Sequence, residues 1–212
     1  GIGIAASLAI LESNLPTGKI ECVSTISEET GMDGAEFMQE GFFTGKTLIN
    51  LDSEDEGQMF IGCAGGVTTE AVYHFDNEDL AAGATRCRLT IQGGIGGHSG
   101  DDINKGRANT LLLMLRFLYT HLDSLQIIKI NGGGKHNAIA RECLAAVATL
   151  DPDALSSEFE RFASEVKNEY RVTDSALSFE CIRVEHPCAH LPISSSQARK
   201  IVASLYACPH GV

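Results

Sequence analysis

Between residues 84 and 185 the sequence alternates two hydrophobic periods in a fixed order, and few folds accept that order. Arg86-Cys87-Arg88-Leu89-Thr90-Ile91 alternates as a half-buried strand does. A glycine-rich turn follows, and then a helix is expected over about 105–121, strongly apolar through Leu115 and Leu118. Strands are expected from Leu125 to Ile130 and from Glu142 to Leu150, joined through the Gly132-Gly133-Gly134 loop. Asp151-Pro152 supplies an N-cap and a proline in the first turn, and Phe159, Phe162, Ala163, Val166 and Tyr170 recur at helical spacing. A last strand near Ala176 to Val184 completes β-α-β-β-α-β, the order of a ferredoxin-like two-layer sandwich whose helices cover one sheet face. A further helix at about 196–207 carries Ile201, Val202 and Leu205.

The N-terminal part reads differently. Residues 1 to about 14 have a helical apolar stripe through Leu8 and Leu11, stopped by Pro16. Lys19 to Ile26 alternates as a strand whose end delivers the adjacent carboxylates Glu28-Glu29, and Thr47 to Leu51 is a second short strand ending at Asp52. Acids at strand ends of an α/β layer stand where such folds bind ligands. The Gly62-Cys63-Ala64-Gly65-Gly66 run reads as a junction, which sets a domain boundary near residue 68. The expectation is an α/β piece over 1–68, then an α+β domain over 69–212 with its core at about 84–185.

Charge and cysteines narrow the function. Sixteen Lys and Arg against 28 Asp and Glu give a net charge of −12, with no long basic cluster, which argues against nucleic acid or an anionic membrane as partner. The longest apolar run, Leu111 to Leu115, ends at Arg116, far short of the roughly 20 residues of a membrane span. Seven scattered cysteines without a C-x-x-C pair read as buried free thiols of a reducing cytoplasm. Gly1-Ile2-Gly3 lacks an initiating Met and a basic signal region, so the expectation is an excised internal fragment. Gly41 to Thr47 imitates a phosphate loop but is one residue short between its glycines, and it reads as an ordinary turn. Gly1-x-Gly3-x-x-Ala6 imitates a dinucleotide fingerprint without the preceding strand that would aim it.

Glu28, Glu29 and Asp52 carry the chemical signal. A hydrolytic metal centre needs carboxylates to hold the ion and another to take a proton from water, roles that neighbouring acids can divide. Four motifs occur in order: Ser27-Glu28-Glu29-Thr30-Gly31-Met32-Asp33-Gly34, Ile49-Asn50-Leu51-Asp52-Ser53-Glu54, Gly96-Gly97-His98-Ser99-Gly100 and Asn137-Ala138-Ile139-Ala140-Arg141-Glu142. Together they resemble the aminoacyl-histidine dipeptidases of the di-zinc aminoacylase and carboxypeptidase superfamily, over nearly the whole chain. The resemblance implies a partial zinc-exopeptidase catalytic domain followed by a lid that mediates homodimerisation. It implies Glu28 as general acid/base, Glu29 and Asp52 as ligands to two zinc ions, and His98 as the lid histidine that stabilises an oxyanion. It also implies that Asn137 and Arg141 contact a small dipeptide substrate.

The chain departs from that pattern in two ways. The superfamily's histidine ligands and bridging aspartate fall outside these 212 residues, so the fragment itself is expected to be inactive. His136 and Ala140 stand where close relatives have arginine and proline. Those departures favour one alternative, a non-catalytic relative whose lid serves as a dimerising module. A second, an unrelated ferredoxin-like regulatory domain, leaves Glu28, Glu29 and Asp52 unexplained. With its catalytic strands unaccompanied by neighbours, the segment up to about residue 65 is expected to be partly disordered or repacked.

Overall fold

A computed structural model describes residues 1–52, 56–63, 65–184 and 190–211; the side chain of Glu29 is outside that set, as are Ser53, Glu54, Ala64 and Cys188. The backbone divides into two compact units, Gly1–Gly66 and Val67–Val212.

In the first unit, helix α1 spans Ile2–Glu12 and a single turn, α2, spans Asp33–Glu36. Helix α1 is apolar on every side and buries none of its residues; Ile2 and Leu8 are 86% and 61% exposed. Helices of that composition normally lie inside a larger core. Gly3 allows Leu51 to approach α1, where an added Cβ would come within 3.2 Å of the Leu51 Cβ. The strands expected at 19–26 and 47–51 do not form, since among the described residues neither segment is paired in a sheet. Alternation specifies a strand only when a neighbouring strand takes up its amides and carbonyls, and among the described residues neither segment has one.

The second unit follows the expected order. Strands β1 (Thr85–Gln92), β2 (Gln126–Gly132), β3 (Cys143–Thr149) and β4 (Ser178–Arg183) form one antiparallel sheet in the order β2-β3-β1-β4. Helices α3 (Thr110–His121), α4 (Pro152–Glu169) and α5 (Ser195–Tyr206) complete the unit. That order is the ferredoxin-like one. On β1 the alternate residues Cys87, Leu89 and Ile91 are buried, and Leu89 lies opposite Ala145 on β3 and Cys181 on β4. Phe117 of α3 meets Phe159 of α4 edge-on at 4.9 Å, and Phe159 meets Phe179 of β4 at 5.8 Å, so both helices share one core with the sheet. Each such buried side chain contributes roughly 1.5–3 kcal/mol.

Caps explain where the helices begin. Asp151 accepts the Ala154 amide at 2.9 Å ahead of Pro152, as the sequence implies. Helix α3 starts at Thr110 instead of near 105, because Gly106 turns left-handed (φ 64) and Asn109 supplies the cap, accepting the Leu111 and Leu112 amides.

Candidate functional site

The expected site residues divide between the two units, Glu28, Glu29 and Asp52 in the first and His98, Asn137 and Arg141 in the second.

Glu28 opens a one-turn 3-10 helix, Glu28–Thr30, bounded by two left-handed non-glycine residues, Ser27 (φ 60) and Met32 (φ 59). The Ser27 carbonyl accepts the Met32 amide at 2.7 Å, and Gly34 passes so close to Ile26 that an added Cβ would lie 2.5 Å from its nitrogen. Left-handed backbone at two side-chain-bearing residues costs on the order of 1–3 kcal/mol each and persists where a turn is over-determined. Glu28 is exposed at this turn. Asp52 is also exposed, its amide held by the Asn50 side chain at 3.0 Å. Carboxylates suit a divalent cation, but a zinc shell takes about four donors, and among the described residues no three His, Cys, Asp or Glu groups gather closely enough to hold one. The described residues alone therefore do not fit a zinc centre.

The turn that imitates a phosphate loop is filled by the protein itself. Glu21 accepts the Thr44 amide (2.7 Å), the Gly45 amide (2.9 Å) and the Thr44 hydroxyl (2.7 Å), and pairs with Lys19 at 2.6 Å. Lys19 first, then Thr44 and Gly45, lower its pKa to about 2.

The second unit brings its three expected residues together. After β1 the chain enters a glycine-rich loop that runs against residues 137–141. His98 and Ala138 form an antiparallel bridge, the Ser99 amide donates to the Asn137 carbonyl at 2.9 Å, and the Ile139 amide donates to the Gly97 carbonyl at 2.9 Å. Arg141 Nε donates to the Gly94 carbonyl at 3.3 Å, and the Gly94 amide donates back to the Arg141 carbonyl at 3.1 Å. Gly96, at φ 67, lies directly against the Arg141 side chain, where any Cβ would collide. Among the described residues no acid pairs with the Arg141 guanidinium, and no hydrogen bond engages the Asn137 carboxamide.

The tautomer of His98 follows from its neighbours. Nδ1 accepts the Gly100 amide at 3.1 Å and faces the Asp101 amide at 3.4 Å, so the ring proton belongs on Nε2. The Asp101 carboxylate is 3.7 Å from the same Nδ1, but both side chains are exposed, at 54% and 87%, and the two backbone donors decide the tautomer. Nε2–H is therefore left without a hydrogen-bond partner among the described residues.

Four residues that sequence reasoning missed build this loop. Asp102 accepts the His98 amide at 2.8 Å, with Lys105 at 2.6 Å and Arg107 at 3.3 Å. Lys105, then the His98 amide, hold its carboxyl below the usual aspartate value. Arg107 also donates to the Gly96 carbonyl at 2.6 Å. Asp174, only 1% exposed, accepts the Ile95 and Ala108 amides. Asp102 stands four residues beyond His98, which is a local signal; nothing near Asp174 in sequence announces it.

No protein-family model matches the chain. It is 38% identical over 217 aligned positions to the cytosol non-specific dipeptidase of Escherichia coli (strain K12), across all of this chain and 44% of that protein. Its fold matches the crystal structure of the aminoacylhistidine dipeptidase from Vibrio alginolyticus with a TM-score of 0.73 and 32% identity, again over 100% of this chain and 44% of that one. The chain thus spans less than half the length of these relatives, both named as peptide-bond hydrolases. The resemblance to dipeptidases carried by the four ordered motifs holds from one end of the chain to the other.

Proposed function

From this full-length match to dipeptidases, we propose that the chain is a segment of a metallo-dipeptidase hydrolysing Xaa-His, carnosine-like dipeptides. The observation that carries the reading is the second unit's loop, where backbone bonds lay the His98 strand segment against residues 137–141 and, among the described residues, His98 Nε2–H and the Asn137 carboxamide have no hydrogen-bond partner and the Arg141 guanidinium has no acid partner. Nε2–H aimed at an oxyanion is worth about 3 kcal/mol of transition-state stabilisation. Arg141 and Asn137 hold the carboxylate or carbonyl of the dipeptide. Glu28 takes the proton of the attacking water and delivers it to the leaving amine. The proposed cofactor is two zinc ions, with Glu29 and Asp52 each giving one carboxylate and the remaining ligands coming from outside residues 1–212.

On this reading residues 1–68 are part of a catalytic domain, and 69–212 are a lid through which the protein forms a homodimer. The segment alone is inactive. A cytoplasmic setting accords with the free thiols, with the name of the Escherichia coli relative, and with no described helix being long and apolar enough to cross a membrane. The relatives' names differ on specificity, one non-specific and one aminoacylhistidine, so the substrate is the point to test. The intact protein should contain two zinc ions and cleave carnosine faster than dipeptides lacking a C-terminal histidine. Glu28→Gln should keep the metal and lose on the order of 10²-fold or more of turnover. A metal-free, inactive intact protein with all its ligands would sink the reading; a Glu28→Gln variant that loses zinc yet is normal per bound metal would exchange the roles of Glu28 and Glu29.

A further inference from the structure

The loop that presents His98 starts from a sheet strand and ends at a helix, and one buried carboxylate holds both its ends. Asp174 Oδ1 accepts the Ile95 amide at 2.8 Å and Oδ2 accepts the Ala108 amide at 2.9 Å. Ile95 directly precedes the Gly96-Gly97-His98 motif, and Ala108 directly precedes the Asn109 cap of α3. Asp174 is itself fixed, its amide donating to the Tyr170 carbonyl at the end of α4 and its carbonyl accepting the Leu177 amide ahead of β4. The same turn lies hard against Gly93, where a Cβ would collide with the Ala176 carbonyl. Among the described residues no basic side chain forms an ion pair with Asp174, so its two acceptor oxygens serve the loop amides alone.

A buried carboxylate with both oxygens committed to the two ends of one loop is a costly way merely to close a turn, and it leaves the span between them little freedom. That span contains His98 and Asp102, which grips the His98 amide. Residues 137–141 hold the loop on one side, through the Gly94, Gly97 and Ser99 contacts, and Asp174 holds its ends.

We infer that Asp174 is a positioning residue, whose carboxylate fastens both ends of the 96–107 loop and so fixes where the His98 imidazole stands. The inference rests on the reading of His98 given above, deepens it, and is separable from it by experiment. Asp174→Asn retains one acceptor oxygen and turns an amino group toward the other backbone amide, breaking one of the two bonds. In this chain, amide exchange followed by NMR should show the Ile95, Ala108 and Gly100 amides losing about tenfold or more of their protection while the β1–β3 ladder keeps its own. The His98 ring nitrogens should shift from a pure Nε2–H tautomer toward a mixture. In the intact protein kcat should fall on the order of 10²-fold, with KM changed far less. In a His98→Ala background the same substitution should lower kcat no further, whereas general destabilisation would lower it again.

Wild-type loop protection and an unchanged His98 ring in a folded Asp174→Asn protein overturn the inference, as does full additivity with His98→Ala. Full activity of His98→Ala itself would instead overturn the oxyanion role in the proposed function, and the exchange and ring measurements would still decide for or against Asp174. Asp174→Glu, which keeps the charge but moves it by a methylene, carries the same comparison if Asp174→Asn fails to fold.

Discussion

Asp102 and Arg107 close a 3.3 Å ion pair directly against Gly97, so the glycine next to His98 has no room for a side chain. Its φ of 140 adds a conformation that residues with a Cβ rarely adopt. Gly97→Ala should therefore push Arg107 and Asp102 apart and destabilise the second unit by about 1–3 kcal/mol. Urea unfolding followed by circular dichroism measures this, and an unchanged midpoint would mean that the pair moves aside freely.

Phe117 joins α3 to α4 and to the sheet, and it is 1% exposed. Phe117→Ala should cost about 3–5 kcal/mol, from lost burial and from the cavity left beside Phe159. Asp151→Ala, which removes only the cap of α4, should cost about 1 kcal/mol. Thermal unfolding of both variants should rank them in that order.

The Glu21 carboxyl, lowered to about 2 by Lys19, Thr44 and Gly45, ties the Gly41–Thr47 turn to the segment after α1. A depressed carboxylate stabilises the folded form above its unfolded value of about 4.3, and that contribution disappears as pH falls through about 2. Carbon-detected NMR should follow the Glu21 carboxyl titrating near 2, and the Thr44 and Gly45 amide shifts should move with it. Titration near 4.3 would mean that the turn is not closed in solution.

Thiol chemistry should separate the described cysteines into two classes. Cys22, Cys63 and Cys208 are exposed, contrary to the expectation that all the thiols are buried. Burial raises Cys143 to about 12 and Cys181 to about 11, and also raises Cys87. At pH 8 a maleimide should label the first three within minutes, and Cys87, Cys143 and Cys181 only after denaturation. Mass mapping of the labelled peptides gives the answer.

The second unit was legible because its signals are local. The alternation of β1, the proline-marked start of α4 and the aromatic spacing of Phe159 and Phe162 each specify an element without reference to anything distant. The N-terminal strands were misread because Lys19 to Ile26 and Thr47 to Leu51 carry strand periodicity, while the pairing that would realise it is not present among the described residues. Site residues divide the same way. His98 and Asn137 were visible as motifs, but the carboxylate that holds the His98 loop reaches it from 66 and 79 residues away.

That separation bears on the order in which the molecule is assembled. β1, α3, β2 and β3 are all complete by Thr149, yet the amides of Ile95 and Ala108 meet their acceptor only when the chain has run through α4 to Asp174. Contacts between such distant parts of a chain form late, because loop closure must precede them. A nascent chain halted just before residue 174 would thus carry three strands of this sheet with both α3 and α4 while its imidazole is still unanchored, and the anchor would arrive only with the turn that follows α4.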